Sequence, residues 1–171
     1  MILRWLKRLA LGLIAMLALV ALLATVTPQG RTVVRTALFL TQILPGLPVK
    51  PQEWFGGDPS RREVTFPLSS GQGVADLYLP IDEGQHSAIL LFLGVNPAGR
   101  DDSRVVSLAE GLARAGSVVM IPWSDTMTQR RVSVEEVDNL VWAFQYLVAL
   151  DEVDADRAGM GGFCVGASLA T

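Results

Sequence analysis

The chain has 171 residues, half of them apolar, with a formal net charge of −3, one cysteine and one histidine. That is room for one modest domain and an appendage, with no electrostatic footprint for a nucleic-acid partner. A lone cysteine excludes an internal disulfide, one Cys with one His cannot build a thiolate–imidazole zinc site, and nothing else in the spacing calls for a metal or a cofactor.

The N-terminus reads as basic head and apolar body. Arg4, Lys7 and Arg8 precede Leu9–Val26, which is apolar apart from Gly12 and Thr25. About 18 such residues at 1.5 Å each are just enough to cross a hydrocarbon core. The run is longer than an ordinary signal-peptide core, and no small-x-small cleavage site precedes Pro28. The expectation is an uncleaved signal anchor over residues 1–30, with the lipid bilayer as partner and the domain outside the cytoplasm. Arg31 and Arg35, just past the span, reduce that bias.

Val33–Leu44 is apolar but interrupted by Arg35, Thr36, Thr41 and Gln42, too short and mixed to span. It predicts a juxtamembrane helix ending before Pro45. Lying on the bilayer and packing on the domain are both open for it. Pro45, Gly46, Pro48 and Pro51 form a linker, so residues 31–60 connect the anchor to a domain over 61–171. Trp54 and Phe55 fit either the membrane interface or packing on the domain.

Glu63–Leu68 and Val74–Leu79 alternate apolar and polar residues around the turn composition Ser69-Ser70-Gly71-Gln72-Gly73. They predict an antiparallel pair with one half-buried face, Asp76 and Tyr78 lying opposite Ala75, Leu77 and Leu79. Ala88–Leu93 is continuously apolar, as a strand covered on both faces should be. After the loop Gly94–Gly99, a helix capped by Asp101, Asp102 or Ser103 runs to about Ala115, where Gly116 fits its stop. Val118–Ile121 is a short buried strand. Ser133-Val134-Glu135-Glu136 forms a capping box, and Val137, Leu140, Val141, Phe144, Leu147 and Val148 keep helical spacing to about Leu150. A polar connector, Asp151–Arg157, leads to a small-residue strand, Ala158–Phe163, with a helix after Cys164. The order β-β-β-α-β-α-β-α makes the last three strands parallel, with right-handed crossovers.

Gly162-Phe163-Cys164-Val165-Gly166 has the form G-x-Nu-x-G. A nucleophile on a sharp strand-to-helix turn needs small residues two before and two after it. The helix N-terminus beside Cys164 favours thiolate and can stabilise an oxyanion. Taken alone the motif is weak, since a lone cysteine is more often a small buried hydrophobe; its place after three strands and two crossover helices strengthens it.

At these residues the chain resembles the α/β-hydrolase superfamily, and within it the dienelactone hydrolase family. The resemblance is carried by Val153-Asp154-Ala155-Asp156-Arg157 leading into Gly161-Gly162-Phe163-Cys164-Val165-Gly166, and runs from about residue 63 onward. It implies hydrolysis of a small ester or lactone through an acyl-enzyme. Cys164 would be the nucleophile, the Val165 N–H one oxyanion donor, and Val95 or Asn96 the second. Two departures stand out: Leu93-Gly94 where many hydrolases have His-Gly, and Ala167 where the family usually has another glycine.

In the superfamily the acid and histidine follow the nucleophile. Here the sole histidine, His86, precedes the third strand and reads as a solvated turn residue. Arg100-Asp101-Asp102 fits either the mouth of the site or a solvated helix start. Three readings follow: a piece of a longer membrane-anchored hydrolase, which is preferred; a short membrane-tethered binding or structural module without catalysis; or a site completed by a second chain. The sequence thus predicts an incomplete α/β-hydrolase sheet behind an N-terminal transmembrane helix.

Overall fold

The computed structural model describes residues 26–44, 49–55, 57–69, 71–94, 99–123 and 135–163, with isolated positions 12, 16 and 22. The chain forms helix α1 (Pro28–Ile43), a short helix α2 (Gln52–Phe55), then strands β1 (Ser60–Leu68), β2 (Gly71–Leu79) and β3 (His86–Phe92). A 3₁₀ turn (Gly99–Asp101) leads into α3 (Ser103–Arg114), followed by β4 (Ser117–Pro122), α4 (Glu135–Val148) and β5 (Val153–Gly162). The five strands form one sheet in the order β1-β2-β4-β3-β5. β2 runs antiparallel to β1 and β4, whereas β3 is parallel to both β4 and β5.

This order fixes where the helices go. From β3 the chain steps toward β1 to lay down β4, then reverses and passes over β3 to lay down β5. Both crossovers join parallel strands, and such crossovers share one hand, so a reversal of direction puts their helices on opposite faces. Two separate cores result. Phe66, Ala75, Leu77, Leu90, Phe92, Val118 and Met120 pack with Leu140, Ala143 and Leu147 of α4. Tyr78, Leu91, Val119 and Ile121 pack with Val105, Ala109 and Ala113 of α3.

Both faces of β2 are therefore covered. Asp76 and Tyr78, expected on a solvated face, are buried at 3% and 1% exposure. The alternation is present, but the strand is internal to the sheet and α3 covers the side that alternation alone assigns to water. The buried stripe of α4 also differs from the expected one: it is Glu136, Leu140, Ala143 and Leu147, while Val137 and Val141 are exposed. The small Ala143 lets the helix sit close on the sheet, turning the two valines outward. The expected capping box begins at Ser133, outside the described residues.

β5 starts five residues before the small-residue run. Val153 pairs with His86, and Ala158 with Ala88, so Asp154–Arg157 bulge opposite Ser87. Arg157 and the backbone N–H of Asp156 both donate to the Asp154 carboxylate, a local ring that stabilises the bulge. His86 is the first residue of β3 rather than part of the turn before it. The α3 cap is Asp102, whose carboxylate accepts from the Arg104 N–H at 3.0 Å. Gly116, at φ +95°, ends that helix in a conformation that only glycine adopts without strain.

α1 packs along α3: a Cβ on Gly111 would touch Phe39 and Gln42 at 3.1–3.3 Å, and one on Gly116 would meet Arg35. Gln52 at the start of α2 donates to the Gly111 carbonyl at 2.8 Å in a buried contact. Among the described residues no helix is long and apolar enough to cross a bilayer. Of the Leu9–Val26 run, only positions 12, 16, 22 and 26 belong to them.

Candidate active site

Parallel β3, β4 and β5 bring their carboxyl ends to one edge of the sheet. The helices that follow β3 and β4 lie on opposite faces, so the strand order reverses at this edge; open α/β sheets bind ligands at such a point. Phe163 donates its N–H to the Phe92 carbonyl at 3.0 Å, so the last described residues of β5 sit beside the end of β3. Gly162 is the final residue of β5. Cys164, Val165 and Gly166 lie outside the described residues, as do the two candidate donors Val95 and Asn96.

The loop after β3 leaves in a particular way. Gly94 is buried and has φ +65°, in the left-handed region where a side chain would be strained. The chain therefore turns sharply immediately before Val95.

Past the loop after β3, Arg100 and Asp101 are tied to the hairpin. Arg61 donates to Asp76 at 2.9 Å and to Asp101 at 2.8 Å. Arg100 pairs with Glu63 at 2.6 Å and lies 3.7 Å from the other oxygen of Asp76. The Arg100 guanidinium also stacks over the Trp123 ring, 5.8 Å from its centroid, just past the end of β4. Asp76, buried between the two arginines, is the pivot. Its hydrogen bond is the main cause that raises the Arg61 pKa, while Glu63 does most to raise that of Arg100. Arg100 and Asp101 thus belong to a network that fixes the exit of the β3 loop; they are not a free helix start.

At the same edge, on the α4 side, is a cavity of about 250 Å³ lined by Phe66, Gly73, Phe92, Trp123, Glu136 and Leu140. Glu136 is 5% exposed. Neither this cavity nor the Asp76 pivot was evident from the sequence: one joins residues of β1 to α4, the other joins β1 and β2 to a turn 25 residues later. The only signal was an acidic residue at an internal position of an alternating strand.

His86 lies at the opposite end of the sheet. Its Nε2 is 2.9 Å from the Asp82 carbonyl, and the seven residues of β3 separate it from Phe92, about 20 Å of extended chain. No histidine among the described residues stands near the elbow.

Strand order and the opposed helices are those of an α/β-hydrolase fold. In fold the chain is similar to dienelactone hydrolase-like and esterase structures. A protein from Pseudomonas aeruginosa described only as hypothetical superposes with a TM-score of 0.56 at 26% identity, over 70% of this chain and 41% of its own. A dienelactone hydrolase-like promiscuous phosphotriesterase from metagenomic libraries gives 0.55 at 17%, over 67% and 53%. A hyperthermophilic esterase from the archaeon Pyrobaculum calidifontis gives 0.55 at 15%, over 83% and 42%. The chain thus spans between 41% and 53% of the length of these structures. No family model matches it, and no curated protein matches it in sequence.

Proposed function

We propose that the chain belongs to a membrane-anchored hydrolase that cleaves small ester or lactone bonds through an acyl-enzyme on Cys164. The observation that carries this reading is the G-x-C-x-G motif leaving β5 beside the end of β3, at the edge where the strand order reverses. The Cys164 thiolate attacks the substrate carbonyl carbon, and the carbonyl electron pair moves to oxygen. The Val165 N–H and one from Val95 or Asn96 hold that oxyanion. Collapse expels the alkoxide, which takes a proton, and leaves a thioester. Water, giving its proton to a base, then releases the acid and restores the thiolate.

His86, at the far end of β3 from Phe92, is too far away to be that base. The same fact favours a second reading for this chain by itself, a membrane-tethered module without turnover. Anchoring is supported by the basic head and the Leu9–Val26 run. It is further supported by Met16, Leu22 and Val26, which are helical yet 56–59% exposed. The orientation proposed puts the domain outside the cytoplasm.

Mass spectrometry of the full chain after treatment with p-nitrophenyl acetate tests the nucleophile. A single acetyl group on Cys164, absent in Cys164→Ala, is the expected result. Label elsewhere, or none at Cys164, removes the acyl-enzyme and leaves the non-catalytic module.

A further inference from the structure

For a helix on a soluble domain, α1 has an unusual outer face, apolar and uncharged. Such a helix turns its apolar stripe to the core and its charges to water. In α1 the side facing α3 carries Arg35, Leu38, Phe39 and Gln42, the last only 5% exposed. The only charged residues of the helix, Arg31 and Arg35, lie on or beside that domain-facing side. At 3.6 residues per turn, Val33, Ala37, Leu40 and the cap residue Leu44 share the opposite side, within about 60° of arc. All four are exposed, Val33 at 66%, Leu40 at 48% and Leu44 at 53%. Also on that half of the helix are Gln29, Gly30, Val34, Thr36 and Thr41, none charged.

We propose that this outward face of α1 is a bilayer-docking surface, so that α1 is clamped between the domain on its inner side and lipid on its outer side. The occupant is identified by what precedes the helix. The apolar run ends at Val26, and Thr27 caps α1 one residue later, its hydroxyl accepting from the Gly30 N–H at 3.0 Å. The extended backbone at Thr27, φ −81° and ψ 143°, breaks the helix there and lets α1 leave the axis of the segment before it. An uncharged helical face emerging at the surface of a membrane lies where interfacial helices bury their apolar side, about 5–10 Å into the headgroup boundary. This continuity argument rests on the anchor reading given above.

The docking has a consequence for the site. Going from Gln42 to Arg35 along α1 follows Gly111 to Gly116 on the α3 side, so the two helices run antiparallel. α3 itself runs back against the parallel strands. With α1 in the plane of the interface, the strands lie along the bilayer, and the carboxyl edge opens sideways into water rather than down onto lipid. Substrates then arrive from solution.

The test uses the full chain reconstituted in phosphatidylcholine vesicles. The native cysteine is replaced (Cys164→Ser), and single cysteines carrying the fluorophore NBD are placed at Leu40 and, in a second protein, at Gln85, exposed in the turn before β3. The expected result is a blue-shifted Leu40 label, quenched by nitroxide-bearing lipid and several-fold less sensitive to aqueous iodide than the Gln85 label. Equal iodide quenching at both sites overturns the proposal. So does a blue shift that persists in detergent and answers to no nitroxide lipid, which identifies a second copy or another protein segment as the cover. Vesicle sedimentation reads the anchor separately: with Val33→Lys and Leu40→Lys together, the chain should still sediment while α1 loses its protection. Acetylation of Cys164 in the native chain reads the hydrolase reading independently of both.

Discussion

The sharpest energetic consequence of the structure concerns Asp76. Its side chain is 4% exposed, while Arg61 and Arg100 are 34% and 32% exposed. Removing one partner of a fully buried ion pair costs about 3–5 kcal/mol. Here the arginines retain water and second partners, Asp101 at 2.8 Å and Glu63 at 2.6 Å, so the loss should be smaller. The main loss is one charge-assisted hydrogen bond at 2.9 Å, worth about 1.5–3 kcal/mol. Asp76→Ala should therefore destabilise the domain by roughly 2–3 kcal/mol, and Asp76→Asn, which keeps the shape and one acceptor oxygen, by about half as much. Urea unfolding followed by circular dichroism on the full chain measures both. Limited trypsinolysis gives a local readout, because freeing Arg100 from the hairpin should speed cleavage after it. A change below about 0.5 kcal/mol in Asp76→Ala, or equal losses in both variants, refutes the charged pivot: the first shows no coupling, the second shows that only shape matters.

Three further outcomes follow from single contacts. Burial, as the main cause, pushes the Tyr78 phenol up to about 12, and its hydroxyl has no hydrogen-bond partner among the described residues. A raised pKa stabilises the fold fully below the unfolded value near 10 and is lost as pH rises through 12, so the wild type should lose on the order of 2–3 kcal/mol across that window. Tyr78→Phe should abolish that alkaline loss and match or exceed wild-type stability at pH 7; a large loss at neutral pH shows that the hydroxyl has a partner. Arg104, by its side chain first and its backbone N–H second, holds Asp102 down at about 2. That stabilisation is present above the unfolded value near 4 and disappears as pH falls to 2. Asp102→Ala should therefore lower the Tm at pH 7 and flatten the acid limb, and an unchanged acid limb contradicts the cap. Finally, a Cβ at Gly73 would drive into the Phe66 ring, within 2.7–2.8 Å of its Cε atoms. Gly73→Ala should cost about 1–3 kcal/mol by overpacking and shrink the neighbouring cavity, measurable by urea unfolding. A neutral result shows that the ring swings freely.

The sequence revealed most where a local rule was enough. Alternation placed Val64, Phe66 and Leu68 with Ala75 and Leu77 in one core, and Gly116 ended α3 as its position requires. Sequence reading failed where the answer depended on what lies across space. Asp76 and Tyr78 look solvated along their own strand, but Arg61 and Arg100 cover the first and α3, 25 or more residues later, covers the second. Val137 and Val141 satisfy the helical period as well as Glu136 and Ala143 do; which set faces inward depends on how closely the helix approaches the sheet. Asp154–Arg157 read as a loop because a bulged strand does not keep a two-residue period. The helix after Val33 was legible, but its two faces became meaningful only when α3 showed which one was taken.

The sheet order also sets a timetable for the ribosome. β3 is flanked by β4 on one side and β5 on the other, both made after it. Gly162 follows Phe92 by about 70 residues, which at roughly 5–20 residues per second is about 4–14 s of synthesis. Throughout that interval the most apolar strand of the sheet, Ala88 to Phe92, has an open edge, and until α4 exists it also has an uncovered face. The nascent chain must be shielded for those seconds, and slow codons placed between residues 92 and 162 should lower the yield of folded protein more than the same codons placed before residue 86.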